Sequence, residues 1–170
     1  VTFPNPDFNE PHILERKDKS LWLTARTADG IWEAVSYDAG VSWSTPVKMT
    51  NHIATRHFIK RLQSGNILLI KSGQFNERTR YRSQLMAFLS QDEGKTWKGG
   101  LMLDERRDVS YPDGFQAPDG TIYISYDRNR WSDGYIFMAR FKEEDVLTGK
   151  FASKNSRSKI LIYQPGAIER

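Results

Sequence analysis

The sequence predicts an all-β chain built from propeller-like blades, and three observations carry that reading. Short β-rich runs separated by turn residues fill most of its 170 residues. Equivalent runs begin at Leu21, Ile67 and Ile122, spacings of 46 and 55 residues. The pattern Ser-x-Asp-x-Gly-x-Ser/Thr-Trp is spelled twice, at Ser36–Trp43 and at Ser90–Trp97. A repeat of about 50 residues with about four short antiparallel strands is the signature of propeller blades.

Taken in order, the first unit reads PHILER (11–16), LWLTAR (21–26) and WEAVSY (32–37), with KDKS and ADG as turns. The second reads RHFIKRL (56–62), NILLIKS (66–72) and SQLMAFLS (83–90). The third reads GFQAP (114–118), TIYISYD (121–127) and GYIFMARF (134–141), and KILIYQ (159–164) supplies a last strand. Only KEEDVLTGK (142–150) suggests a helical turn. One domain over 1–170 follows, with approximate blades 10–50, 55–105 and 110–165. Three such units make about half of a six-bladed ring, so a missing N-terminal half or a partner chain is expected to cover the exposed blade faces.

Composition narrows the function classes. Hydrophobic residues make up 38% of the chain and aromatics 12%, enough for a packed core. No apolar run approaches the roughly 20 residues of a membrane helix, so no membrane partner is expected. Cysteine is absent, which removes disulfides, thiolate metal sites and cysteine nucleophiles. The opening VTFPNPDFNEPH has no initiator Met and no signal-peptide pattern, and it reads as processed or truncated. Net charge is +4, with basic residues concentrated between Arg56 and Arg82. No nucleic-acid motif accompanies that stretch, so no nucleic-acid partner is expected.

Within each octet, Asp and Gly supply turn chemistry. The carboxylate accepts bonds from turn N–H groups, and Gly permits positive φ. Trp43 and Trp97 then lay an aromatic plate against the blade. One carboxylate and one hydroxyl are too few ligands for a metal at Asp38 or Asp92. The octets therefore read as structural corners, one per repeat.

These octets resemble the Asp-box, or bacterial neuraminidase repeat, of the sialidase superfamily. The resemblance covers nearly the whole chain and implies the C-terminal half of a six-bladed, sialidase-type propeller in a divergent bacterial-type branch. It implies a retaining exo-glycosidase of sialic acid, with no cofactor and no metal, in a secreted or periplasmic protein. A sugar bearing a carboxylate on its anomeric carbon calls for Arg, whose planar fork pairs with carboxylate. A tyrosine nucleophile is the known sialidase departure from the two-carboxylate rule.

Segment by segment, NEPHILERKDKSLWLTART resembles the stretch that carries the base Glu and an Arg of the carboxylate triad, here Glu10 and Arg26. RYRSQLMAFLSQDEGKTW resembles the stretch opening on the last triad Arg, here Arg82. VSYPDGFQAPDGTIYISYD resembles the strand pair opening on the nucleophile, here Tyr111. The expected site is therefore Tyr111 and Glu10 for catalysis, with Arg26 and Arg82 binding a carboxylate-bearing sugar.

The sequence also departs from the pattern. Pro112-Asp113 follows Tyr111 where small residues are usual, and Asp127, Arg128 and Arg130 follow the next strand where Tyr-Glu is usual. Arg78 and Arg80 are alternative carboxylate ligands, and His52 or His57 is either a surface or capping residue or an acid–base group. In sialidases the first triad Arg and the acid–base Asp lie in N-terminal blades, so this chain alone is expected to be nearly inactive. Two competing readings stay open: a non-catalytic carbohydrate-binding or assembly propeller, and an enzyme acting on another acidic sugar such as a uronide.

Overall fold

A computed structural model describes Val1 and residues 9–166; residues 2–8 and 167–170, the ends of the expected 1–170 domain, lie outside the described residues. Among the described residues, twelve strands and one short helix build three antiparallel sheets in chain order. The first holds β1 (Asn9–Glu15), β2 (Leu21–Arg26), β3 (Gly30–Ser36) and β4 (Val47–Asn51). The second holds β5 (Phe58–Arg61), β6 (Ile67–Ser72), β7 (Ser83–Ser90) and β8 (Lys98–Arg107). The third holds β9 (Val109–Gln116), β10 (Ile122–Arg128), β11 (Tyr135–Phe141) and β12 (Arg157–Tyr163), with α1 (Glu143–Thr148) between its last two strands. The first strands lie side by side, β1 against β5 and β5 against β9, while β8 meets β12 at the far edge. The three sheets therefore fan like blades around an axis.

Burial explains the sequence pattern strand by strand. The middle sheet is covered on both faces, so β6 reads as an unbroken apolar run. Its Ile67 and Leu69, with Ile59 of β5, face Trp22 and Ile31 of the first sheet. Its Leu68 and Ile70 face the third sheet with Ile122, Ile124, Phe137 and Phe141. β1 alternates between exposed and half-buried positions, with no second cover among the described residues. β4 and β8 are additional to the strands read from sequence, because VKMTN is polar and KGGLMLDERR opens on two glycines and closes on charges. β9 begins at Val109, ahead of the expected 114, and holds Pro112 because it is an edge strand paired only with β10.

The two octets form the same Ser–Asp–Gly turn, although Trp43 Nε1 donates to the Gly40 carbonyl while Trp97 stacks on Phe75. Ser36 Oγ accepts from the Gly40 N–H at 2.8 Å and donates to Asp38, whose carboxylate also accepts from the Ser42 N–H at 2.8 Å. Ser90, Asp92, Gly94 and Thr96 repeat the set with matching distances. Bonds from the Ser42 and Thr96 hydroxyls and amides hold the two carboxyls down at about 2. The second corner has an additional task. A Cβ on Gly94 would lie 2.6 Å from the Trp22 ring of the first sheet, and Glu93 pairs with Arg61 at 2.6 Å. Asp92→Ala is therefore expected to lower the urea midpoint more than Asp38→Ala does, since it loosens a contact between sheets as well as a turn. Equal midpoints for the two variants would contradict this.

Candidate functional site

Strand direction sorts the chain's features onto two ends. Asn9 pairs with Arg26 where β1 begins and β2 ends, whereas Ser36 pairs with Leu21 at the other end. The octets follow β3 and β7, so they sit at the end opposite Glu10 and Arg26 and take no part in chemistry there. Arg82 immediately precedes β7, and Tyr111 lies near the start of β9, so both share the end of Glu10 and Arg26.

Local irregularities aim two of these side chains. Glu10 has φ 52° and sits in a register shift between Asn9 and His12. Tyr111 has φ 54° and sits in the matching shift of β9, opposite Ser125–Asp127. Positive φ is costly for a non-glycine residue, and bulges that redirect a side chain are enriched beside functional sites. Both irregularities fall on the first strand of a sheet, next to the axis.

The connection between β4 and β5 draws the arginines together. The Ala54 carbonyl accepts from Arg26 Nη1 at 3.4 Å and from Arg82 Nη2 at 3.2 Å. Arg26 Nε lies 3.4 Å from Glu10 Oε2, and neither atom has a hydrogen-bond partner. The Arg82 guanidinium lies 5.9 Å from the centre of the Tyr111 ring, and Arg130 covers that ring at 3.9 Å. Arg130 is itself held by Asp127 at 3.1 Å, and Asp127 accepts from Ser110 Oγ at 2.6 Å. The four expected residues thus form one continuous cluster, Glu10–Arg26–Arg82–Tyr111. Among the described residues, no hydrogen bond joins Glu10 directly to Tyr111. A cavity of about 510 Å³ opens beside Arg82, lined also by Arg80, Tyr81, Ser110, Arg130 and Trp131.

Neither His52 nor His57 is a surface residue, contrary to that expectation: both are fully buried. His52 Nε2 donates to the Thr55 carbonyl at 3.0 Å, so it does cap the turn that carries Ala54. His57 Nε2 meets Thr24 Oγ1 at 3.0 Å, and His57 O accepts from His12 Nε2 at 3.0 Å. Burial, reinforced by the Lys71 charge, pulls His52 down to about 3. Burial, aided by the charges of its histidine neighbours, also takes His57 well below its usual range. These rings are neutral props under the site. On the Arg82 side, the buried Lys71 ammonium donates to the Ser72, Gly73, Gln74 and Glu77 carbonyls and so pins the segment leading toward Arg82.

Several of these features were not visible in the sequence. The Ala54 carbonyl has no sequence signal at all. Arg130 stood out only as a departure from the usual pattern, and Trp131, 91% exposed beside the cavity, was passed over. Arg78 and Arg80 are exposed and do not reach Ala54, which instead gathers Arg26 and Arg82. Among the described residues, no group of three or more His, Cys, Asp or Glu gathers as a metal-binding set.

Fan-like antiparallel sheets with Asp-box corners define a bladed repeat protein. The chain belongs to the BNR repeat-like domain family, whose model matches residues 3–124. Its fold is that of a sialidase-type propeller. It superposes on the intramolecular trans-sialidase from Ruminococcus gnavus, in complex with oseltamivir carboxylate, with TM-score 0.66 and 23% identity, over 82% of this chain and 33% of that one. It also superposes on an endo-1,4-beta-xylanase from Bacteroides thetaiotaomicron with TM-score 0.54 and 11% identity, over 84% of this chain and 49% of the other. The chain thus spans from a third to a half of the length of these structures. No curated protein matches it significantly.

Proposed function

We propose that this chain supplies the carboxylate-holding and nucleophilic part of the site of a retaining exo-glycosidase acting on sialic acid or a related acidic sugar. The observation that carries the reading is the convergence of Arg26 and Arg82 on one backbone carbonyl, beside Glu10 and Tyr111. Two guanidinium groups this close concentrate positive charge and directed N–H donors where a carboxylate would bind. The trans-sialidase of similar fold holds a ligand whose name is itself that of a carboxylate, which supports the same class of substrate.

In the proposed reaction Glu10 takes the phenol proton of Tyr111, and the phenol oxygen attacks the anomeric carbon. The bond from that carbon to the leaving oxygen breaks, and the oxygen takes a proton from a general acid outside these four residues. Water then cleaves the tyrosyl–sugar bond with overall retention. Glu10 Oε2 accepts no hydrogen bond and lies 3.4 Å from Arg26 Nε, so the carboxylate that would serve as base is held beside the arginine pair.

The direct test is calorimetric titration with 2-deoxy-2,3-dehydro sialic acid. Arg82→Ala is expected to weaken binding by about tenfold or more, the worth of a charged contact. Unchanged affinity would reject the role of Arg82. The missing Glu10–Tyr111 hydrogen bond favours a second reading, a module that binds acidic sugars without cleaving them. Fluorogenic sialosides and uronides assayed on the natural full-length protein separate the two, since a binding module turns over neither.

A further inference from the structure

We propose that a cavity lined by Arg78, Arg80, Tyr81 and Arg107 is a second anion site. It would hold a carboxylate or sulfate on the sugar attached to the one gripped by Arg26 and Arg82. The proposal rests on the acidic-sugar reading above and extends it to the leaving group: the substrate would be a run of charged sugars.

The cavity measures about 530 Å³ and shares Arg80 and Tyr81 with the cavity beside Arg82, so the two are contiguous. Tyr81 forms the ridge between them. The Arg107 guanidinium lies 4.0 Å from its ring centre and that of Arg80 lies 5.2 Å away. A guanidinium resting on an aromatic face keeps its in-plane N–H donors free for an anion. The backbone beneath the ridge is held, because the Tyr81 carbonyl accepts from Thr79 Oγ1 at 2.6 Å and from Ser83 Oγ at 3.3 Å.

The charges are left open for a ligand. Arg56, Arg61, Arg106 and Arg130 each pair with a carboxylate. Among the described residues, Arg78, Arg80 and Arg107 do not. Two acids line the cavity. Glu105 is already neutralised by Lys159 at 2.8 Å, and Glu77 alone opposes three arginines. Three unpaired arginines lining one cavity are costly in mutual repulsion unless an anion joins them.

The test compares three probes by calorimetry: sialyllactose, with a neutral second sugar; α2,8-linked disialic acid, with a carboxylate there; and a 6-sulfated sialyl-lactosamine. At least one charged probe is expected to bind about three- to tenfold more tightly than sialyllactose. Whichever does so identifies the anion. The double variant Arg78→Gln/Arg107→Gln, confined to the second cavity, is expected to abolish that preference while leaving sialyllactose affinity within about twofold. Equal binding of all three probes, or a preference that survives in the double variant, would overturn the second site and leave the first intact. If no probe binds, the acidic-sugar reading falls and takes this proposal with it.

Discussion

Tyr111→Phe is expected to lower kcat on a sialoside by about 10³-fold or more in the natural full-length protein, with little change in KM. The substitution removes one oxygen and keeps the ring. Arg130 still has an aromatic face to cover, and the Arg26–Arg82 pair still meets the substrate carboxylate. Only the attacking atom is lost, so the loss falls on the chemical step rather than on binding. Glu10→Gln is expected to act in the same direction, because it removes the base but not the carboxylate ligands. A Tyr111→Phe protein that retained its kcat would assign the nucleophile elsewhere, while a rise in KM alone would make Tyr111 a binding residue.

The second large effect is on stability in acid. His12, His52 and His57 are all held below their ordinary value of 6.5, chiefly by burial. Between that value and the folded ones, the unfolded chain binds more protons than the folded chain. The histidine contribution is therefore fully present above about pH 6.5 and is lost as pH falls, with a slope of about one proton for each of the fully buried His52 and His57. Asp38 and Asp92, depressed to about 2, lose their contribution only further down, as pH falls from 3.8 toward 2. Urea midpoints at pH 7 and pH 5.5 sample the histidine window before the depressed Glu93 and Glu105 begin to lose their contribution. His52→Gln, which keeps a donor for the Thr55 carbonyl but cannot titrate, is expected to flatten the slope by about one proton. Equal midpoints at the two pH values would contradict the buried, neutral assignment.

Much of the architecture was legible because blades are built by repetition. The octets marked the ends of β3 and β7, and the unbroken apolar run in NILLIKS signalled a strand covered on both faces. Less was legible where the chain breaks its own rules. Positive φ at Glu10 and Tyr111 has no sequence signal, because neither is a glycine or asparagine. Pro112, noted only as a departure from the usual pattern, is accommodated in a bulged edge strand. The arginine cluster was named residue by residue, but what brings it together is a backbone carbonyl in an inter-blade turn propped by His52. Peptide carbonyls look alike in a sequence. The octet corner likewise read as local, and only the packing of Gly94 on Trp22 shows that it also locks two sheets.

The measurement that bears most directly on the account is covalent trapping in the natural full-length protein. In a 3-fluorosialosyl fluoride the fluorine at C3 destabilises positive charge at the anomeric carbon and slows both steps, while the anomeric fluoride leaving group speeds formation alone, so a glycosyl intermediate accumulates. Peptide mass spectrometry is expected to find one fluorosialosyl group on Tyr111 in the wild type and none after Tyr111→Phe. A label on a carboxylate or on another tyrosine would contradict the assignment of Tyr111 as the nucleophile.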